Sequence, residues 1–210
     1  MPEAIIWGAS GGIGGALVRL LKQHEWTVYG VARDEDRIPE TADLRCSFDA
    51  GDTFSIHDAT MRIAQESEGV DLMVYAAGGM FTSTYEDISD EDWRAVMDAN
   101  LNGAQRTAQA SLPLMKQGGH LMFVGAYVDK ITLPRFGAYT VAKAGLEPLV
   151  TILQKENRKL KFTLVRPGAV DTPFWENVPV KLPKGAATPE SVAEAMMARF
   201  EVGDTGPLDL

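Results

Sequence analysis

Seven residues, Gly8-Ala9-Ser10-Gly11-Gly12-Ile13-Gly14, constrain this chain more than any other stretch. They follow the apolar run Ala4-Ile5-Ile6-Trp7 and open a helical pattern, Ala16-Leu17-Val18-Arg19-Leu20-Leu21. A buried strand, a turn of small residues and a helix start make a βα unit. Its backbone can approach a pyrophosphate, and the free N–H groups at the helix start point at the anion. The spacing is G-x-x-x-G-x-G, on Gly8, Gly12 and Gly14, and not the commoner G-x-G-x-x-G. A purely structural glycine turn has the same local look, so the rest of the chain has to decide.

Further apolar runs follow at regular intervals. Val28–Ala32, Leu44–Phe48, Val70–Tyr75, Leu121–Val124 and Phe162–Val165 read as strands, and Gly206–Leu210 as a short last one. Between them lie helical patterns. One runs from about Phe54 to Gln65 behind Asp52 as cap, and one from a Ser89–Asp92 capping box to about Lys116. The others run from Tyr139 to about Lys155 and from Thr188-Pro189 through Phe200. Alternating strands and helices predict an α/β fold: a doubly wound, Rossmann-like parallel sheet of about seven strands with helices on both faces. The 210 residues are expected to form one domain, with a short substrate lid around residues 173–187. In such sheets ligands bind at the strand C-termini near the reversal of strand order, and the small-residue turns all fall at strand C-termini.

Composition excludes several classes of partner. A net charge of −9 disfavours nucleic acid or an anionic membrane. No apolar run approaches the length of a membrane span. Met1-Pro2-Glu3 puts no basic stretch before the first apolar run, which argues against a signal peptide and for a cytoplasmic protein. Cys46 is the only cysteine and sits in a strand-like stretch, as a buried structural thiol does. His24, His57 and His120 are scattered, and no spacing points to a metal site.

Tyr139-Thr140-Val141-Ala142-Lys143 carries the chemistry. A separation of four on a helix puts phenol and ammonium on one face. The cation is expected to favour phenolate and bring the phenol towards a working acid/base range. A Tyr-x-x-x-Lys pair after the fifth strand, combined with the Gly8–Gly14 turn after the first, resembles the short-chain dehydrogenase/reductase family over nearly the whole chain. The resemblance implies catalytic roles for Tyr139, Lys143 and Asn100, the last as the helix asparagine that anchors a proton-relay water. It implies cofactor contacts from Gly8, Ser10, Gly12, Ile13 and Gly14 in the turn, and from Asp49 at the adenine. Ala76, Ala77 and Gly78 follow the fourth strand, and Pro167, Gly168, Val170 and Thr172 the sixth. In the same family Lys143 holds the nicotinamide ribose beside Tyr139.

Two departures stand out. The family's Asn-Asn-Ala-Gly turn is here Tyr75-Ala76-Ala77-Gly78, and the serine thirteen residues before the tyrosine is Ala126. Tyr127, Thr132 or a water are the candidates to replace its hydroxyl. Dihydropteridine reductases tolerate such an alanine, and the chain resembles them at Ala77-Gly78-Gly79 and Gly125-Ala126. Reduction of a conjugated imine is therefore one alternative activity, and a nucleotide-binding sensor with weak turnover another. At the end of the second strand Ala32 stands where an NAD-binding acid would be, and Arg33 follows. A guanidinium grips a 2′-phosphate with two hydrogen bonds, so NADP(H) is expected ahead of NAD(H). The substrate is expected to be a small molecule with a carbonyl, alcohol or conjugated imine. A homodimer is expected through the helices around residues 90–116 and 139–155.

Overall fold

A seven-stranded, wholly parallel sheet in the order β3-β2-β1-β4-β5-β6-β7 forms the centre of the protein. The computed structural model describes residues 1–178 and 180–210. The strands are β1 (Glu3–Trp7), β2 (Thr27–Ala32), β3 (Leu44–Ser47), β4 (Val70–Tyr75), β5 (Met115–Val124), β6 (Lys161–Arg166) and β7 (Gly206–Asp209). The helices are α1 (Gly12–Gln23), α2 (Thr53–Glu66), α3 (Asp90–Met97), α4 (Gly103–Ser111), α5 (Val128–Ile131), α6 (Gly137–Glu156) and α7 (Pro189–Val202). No described helix is long and apolar enough to cross a membrane.

The strands are apolar on both sides because helices cover both faces. On one face Ala4, Ile6, Val28, Leu72 and Val74 pack under α1 and α7, where Trp26 meets Phe200 edge-on at 5.0 Å. On the other, Ile5, Trp7, Met73, Tyr75 and Phe123 pack under α2, α4 and α6. Cys46 is fully buried there, as expected of a structural thiol. Asp52 caps α2 by accepting from Phe54 N at 2.9 Å, and Thr188 caps α7 by accepting from Ser191 N at 3.1 Å. Ser89 caps α3, but Asp92 answers through its carboxylate to the Ser89 hydroxyl at 2.6 Å.

The expected unbroken helix to Lys116 is instead α3, a π turn over Asp98–Asn102, and α4 ending at Ser111. Pro113 lies in a 3-10 turn, and β5 begins six residues before the expected Leu121. Between Val70 and Leu72 the β4–β5 register slips, and Gly118 at φ +85° turns the backbone there.

The order of strands reverses between β1 and β4. Gly8 follows β1 and Ala76 follows β4, and the two turns touch: a Cβ at Gly8 would collide with Ala77 N. Gly8 also holds φ +93°, which glycine alone adopts without strain. The two loops thus open one cleft at the switch point, where α/β sheets bind ligands.

Candidate active site

A cleft of about 890 Å³ runs across the C-terminal ends of the strands. At one end α1 begins at Gly12 behind Gly11, with no side-chain cap and no acidic residue in its first turn. Its first N–H groups are left for a ligand. Gly8, Ser10, Gly12 and Ile13 line this end. Gly14 lies beneath the turn, where a Cβ would run into Gly8 O. Gly12 is small for a second reason: its Cβ would fall 2.9 Å from Thr172 Cβ. The β6–α7 loop therefore closes directly on the glycine turn.

Arg33 lies on the cleft wall beyond β2, exposed and with no carboxylate within ion-pair distance among the described residues. Asp34 does not neutralise it, because its carboxylate accepts from Asp36 N at 3.1 Å and caps the 3-10 turn Glu35–Arg37. That turn brings a second guanidinium, Arg37, to the same wall. Sequence reasoning passed over Arg37, although its position four residues after Arg33 was a visible signal. Asp49 also lines the cleft; one carboxylate oxygen accepts from Gly51 N at 2.7 Å and the other has no partner among the described residues.

Deeper in, Ala76, Ala77 and Gly78 pass beside Asn100, Lys143 and Tyr139. Asn100 sits in the π turn, a distortion that recurs at functional sites. Its Nδ2 donates to Gly79 O at 2.6 Å and to Val96 O at 2.8 Å. Tyr75 holds the turn by donating to Ala99 O at 2.8 Å. Asn100 Oδ1 is buried and receives no hydrogen bond among the described residues. A Cβ on Gly78 would lie 2.9 Å from that oxygen and 3.7 Å from Lys143 Nζ, so both atoms border one small space. Lys143 donates to Val124 O at 2.8 Å, and its burial lowers its pKa from 10.5 to about 8. Its Nζ is 5.7 Å from the centroid of the Tyr139 ring.

The acidified phenol expected from the sequence is not found. Burial raises the Tyr139 pKa above the ordinary 10, and the ammonium does not offset it. The phenol is thus held as the proton-bearing form, the form an acid needs.

Pro167, Gly168, Val170 and Thr172 line the opposite wall. The lid begins as a 3-10 turn, Pro173–Asn177, and Pro179 of the expected lid lies outside the described residues. Phe174 leans on Tyr139 with ring centroids 5.6 Å apart, and Trp175 donates to Val170 O at 2.8 Å. The sequence marked this segment as apolar without showing that it reaches the Tyr139 phenol. Every predicted site residue except Gly14 lines the one cleft.

A cofactor fits these groups. Among the described residues the bare helix start, the orphaned Asn100 Oδ1 and the Arg33 and Arg37 guanidiniums, which have no ion-pair partner, are all polar features left open. Among the described residues no cluster of His, Cys, Asp and Glu could hold a metal.

The family model described as short chain dehydrogenase matches residues 2–182. An uncharacterized oxidoreductase of Staphylococcus epidermidis is 30% identical over 183 residues, covering 82% of this chain and 80% of that one. A solved alcohol dehydrogenase from the archaeon Thermococcus sibiricus, complexed with 5-hydroxy-NADP, is 30% identical with a TM-score of 0.91. It covers all of this chain, and 96% of its own is matched. The aldohexose dehydrogenase of Thermoplasma acidophilum shares the fold at 20% identity and a TM-score of 0.86, over 100% of this chain and 92% of that one.

Proposed function

The chain belongs to the short chain dehydrogenase family, and from that premise we propose that it is an oxidoreductase passing hydride between NADP(H) and a carbonyl or alcohol on a small molecule. The observation that carries this reading is the meeting of Tyr139, Lys143 and Asn100 in the same cleft as the bare start of α1.

The α1 start, with Ser10, Gly12 and Ile13, would hold the pyrophosphate, and Asp49 the adenine. Arg33, joined by Arg37, would hold the ribose 2′-phosphate. The alcohol dehydrogenase that shares 30% of its residues was solved with an NADP derivative, which supports the same choice. Lys143 would meet the nicotinamide ribose, the Val170 backbone the carboxamide, and Thr172, packed against Gly12, the phosphates. When bound, the cofactor supplies or accepts the hydride. Tyr139 donates its phenolic proton to the carbonyl oxygen as charge develops there, and takes it back in the oxidative direction. The Lys143 charge, 5.7 Å from that ring, stabilises the phenolate left behind. Asn100 Oδ1, bordering the same space as Lys143 Nζ, anchors the route by which the proton is replaced.

The Ala126 methyl on the cleft wall favours one second reading, reduction of a conjugated imine, which asks less of a carbonyl-polarising hydroxyl. The proposal includes a homodimer through α3–α4 and α6, where Val141 and Ile152 are exposed apolar residues on α6. Incubating the purified protein with NADPH or NADH, 4-nitrobenzaldehyde, 9,10-phenanthrenequinone and quinonoid dihydropterin tests the activity. NADPH consumption with a carbonyl supports the main reading, and consumption with the pterin alone supports the second. Tight NADPH binding without turnover on any of them leaves a binding protein.

A further inference from the structure

We infer that Tyr127 is a catalytic hydrogen-bond donor that polarises the substrate carbonyl in place of the hydroxyl missing at Ala126; this rests on the oxidoreductase reading above. The cleft wall at Ala126 offers a methyl group only. The neighbouring hydroxyls are committed elsewhere. Thr132 Oγ1 donates to Val128 O at 2.8 Å, and Thr140 Oγ1 donates to Ile131 O at 2.7 Å. Ser10 and Thr172 line the cleft, but Ser10 lies in the glycine turn and Thr172 packs against Gly12, at the phosphate end. Among the described residues this leaves two phenols, Tyr139 and Tyr127, that line the cleft.

Tyr127 is half-buried on the cleft wall, one residue past Ala126, and its hydroxyl has no hydrogen-bond partner among the described residues. Two cations approach its ring. Lys130 Nζ is 4.3 Å from the ring centroid and has no carboxylate partner among the described residues. The Arg166 guanidinium is 5.9 Å away and is fixed in place by two bonds to Asp209, at 2.6 and 2.9 Å. A cation over a phenol ring is attracted to its face. These contacts also hold the ring to the wall, so little reorganisation is needed when charge develops on a nearby oxygen. Proton and hydride bookkeeping is unchanged: hydride goes to the carbonyl carbon, Tyr139 gives the proton to its oxygen, and Tyr127 lends a hydrogen bond and keeps its own proton.

The test is NADPH oxidation with 4-nitrobenzaldehyde by wild type, Tyr127→Phe, Thr132→Val, and Tyr127→Phe combined with Ala126→Ser, with NADPH affinity measured for each by fluorescence. Tyr127→Phe is expected to lower kcat by about 10²-fold with NADPH affinity retained. Thr132→Val should stay within about twofold of wild type, being bonded away from the cleft. The added serine is expected to recover at least about tenfold of the lost kcat, by restoring one donor at the same oxygen. A Tyr127→Phe variant within about threefold of wild type overturns the inference, as does a loss that the serine does not recover, or a comparable loss in Thr132→Val. A wild type that turns over no carbonyl at all sinks the carbonyl-reduction reading itself, which is a different failure.

Discussion

Replacing Lys143 by Met should stabilise the fold near neutral pH while abolishing turnover. Lys143 is 6% exposed, and burial lowers its pKa from 10.5 to about 8. Below the folded value, keeping the ammonium buried costs the native state the gap between 10.5 and 8, at 1.36 kcal/mol per pH unit, or about 3 kcal/mol. A methionine of similar length removes that cost and loses the bond from Nζ to Val124 O, leaving a carbonyl without its donor at about 1 kcal/mol. The net gain is about 2 kcal/mol, which for a chain of this size raises the melting temperature by roughly 4–8 °C. The sign with pH follows from a depressed folded value. Between about 8 and 10.5 the unfolded chain holds a proton that the native state has lost, so wild-type stability rises with pH through that window. Near pH 10 the burial cost falls to about 1 kcal/mol, the lost hydrogen bond cancels it, and the two proteins should melt together. Thermal denaturation of both proteins without nucleotide, from neutral pH to about 10, measures this. A Met variant that melts below wild type at neutral pH, or a difference that does not change with pH, would refute the reasoning.

Other expectations are briefer. Arg33→Ala should weaken NADPH by about tenfold or more and NADH hardly at all, by titration of nucleotide fluorescence; equal losses contradict the 2′-phosphate assignment. Gly12→Ala sets a Cβ 2.9 Å from Thr172 Cβ and should cost about 1–3 kcal/mol by urea unfolding. Thr172→Gly in the same chain should recover part of that loss; strict additivity of the two changes would show that they do not touch. His120 is buried against Thr163 at 2.8 Å, and burial lowers its pKa to about 4. As pH falls from about 6.5 to about 4 the unfolded state takes up a proton first, so wild-type stability should decline across that window. His120→Gln should flatten the decline in urea midpoints, and an unchanged slope would place its origin elsewhere.

Much of this architecture was legible because the strands are covered on both faces and read as continuous apolar runs. The glycine turn was legible for a steric reason. Gly8 and Gly14 meet backbone that no side chain can share, so their spacing records a packing requirement as well as a binding one. The Tyr139–Lys143 pair was legible as helical geometry, but its electrostatics were not. Spacing puts the ammonium beside the ring; only the packing of β5, the π turn and Phe174 around them decides that burial dominates. The π turn itself left no mark, since Asp98-Ala99-Asn100-Leu101-Asn102 has no breaker and its distortion depends on Tyr75 and Gly79, far away in sequence. Arg37 looks like surface charge until the Asp34-capped turn brings it to the cleft wall. The four-residue α5 is too short for any period to appear, and it is what commits Thr132 to a backbone carbonyl and sets Lys130 over Tyr127.

The central claim is that a buried, protonated Tyr139 delivers the proton while NADPH sits in the cleft opened by the glycine turn. Comparing wild type with Tyr139→Phe tests it most directly, with carbonyl-dependent NADPH oxidation and NADPH affinity measured on the same samples. The account predicts a loss of about 10²–10⁴-fold in kcat with affinity for NADPH nearly unchanged. A phenylalanine variant that still oxidises NADPH at a rate close to wild type would contradict it.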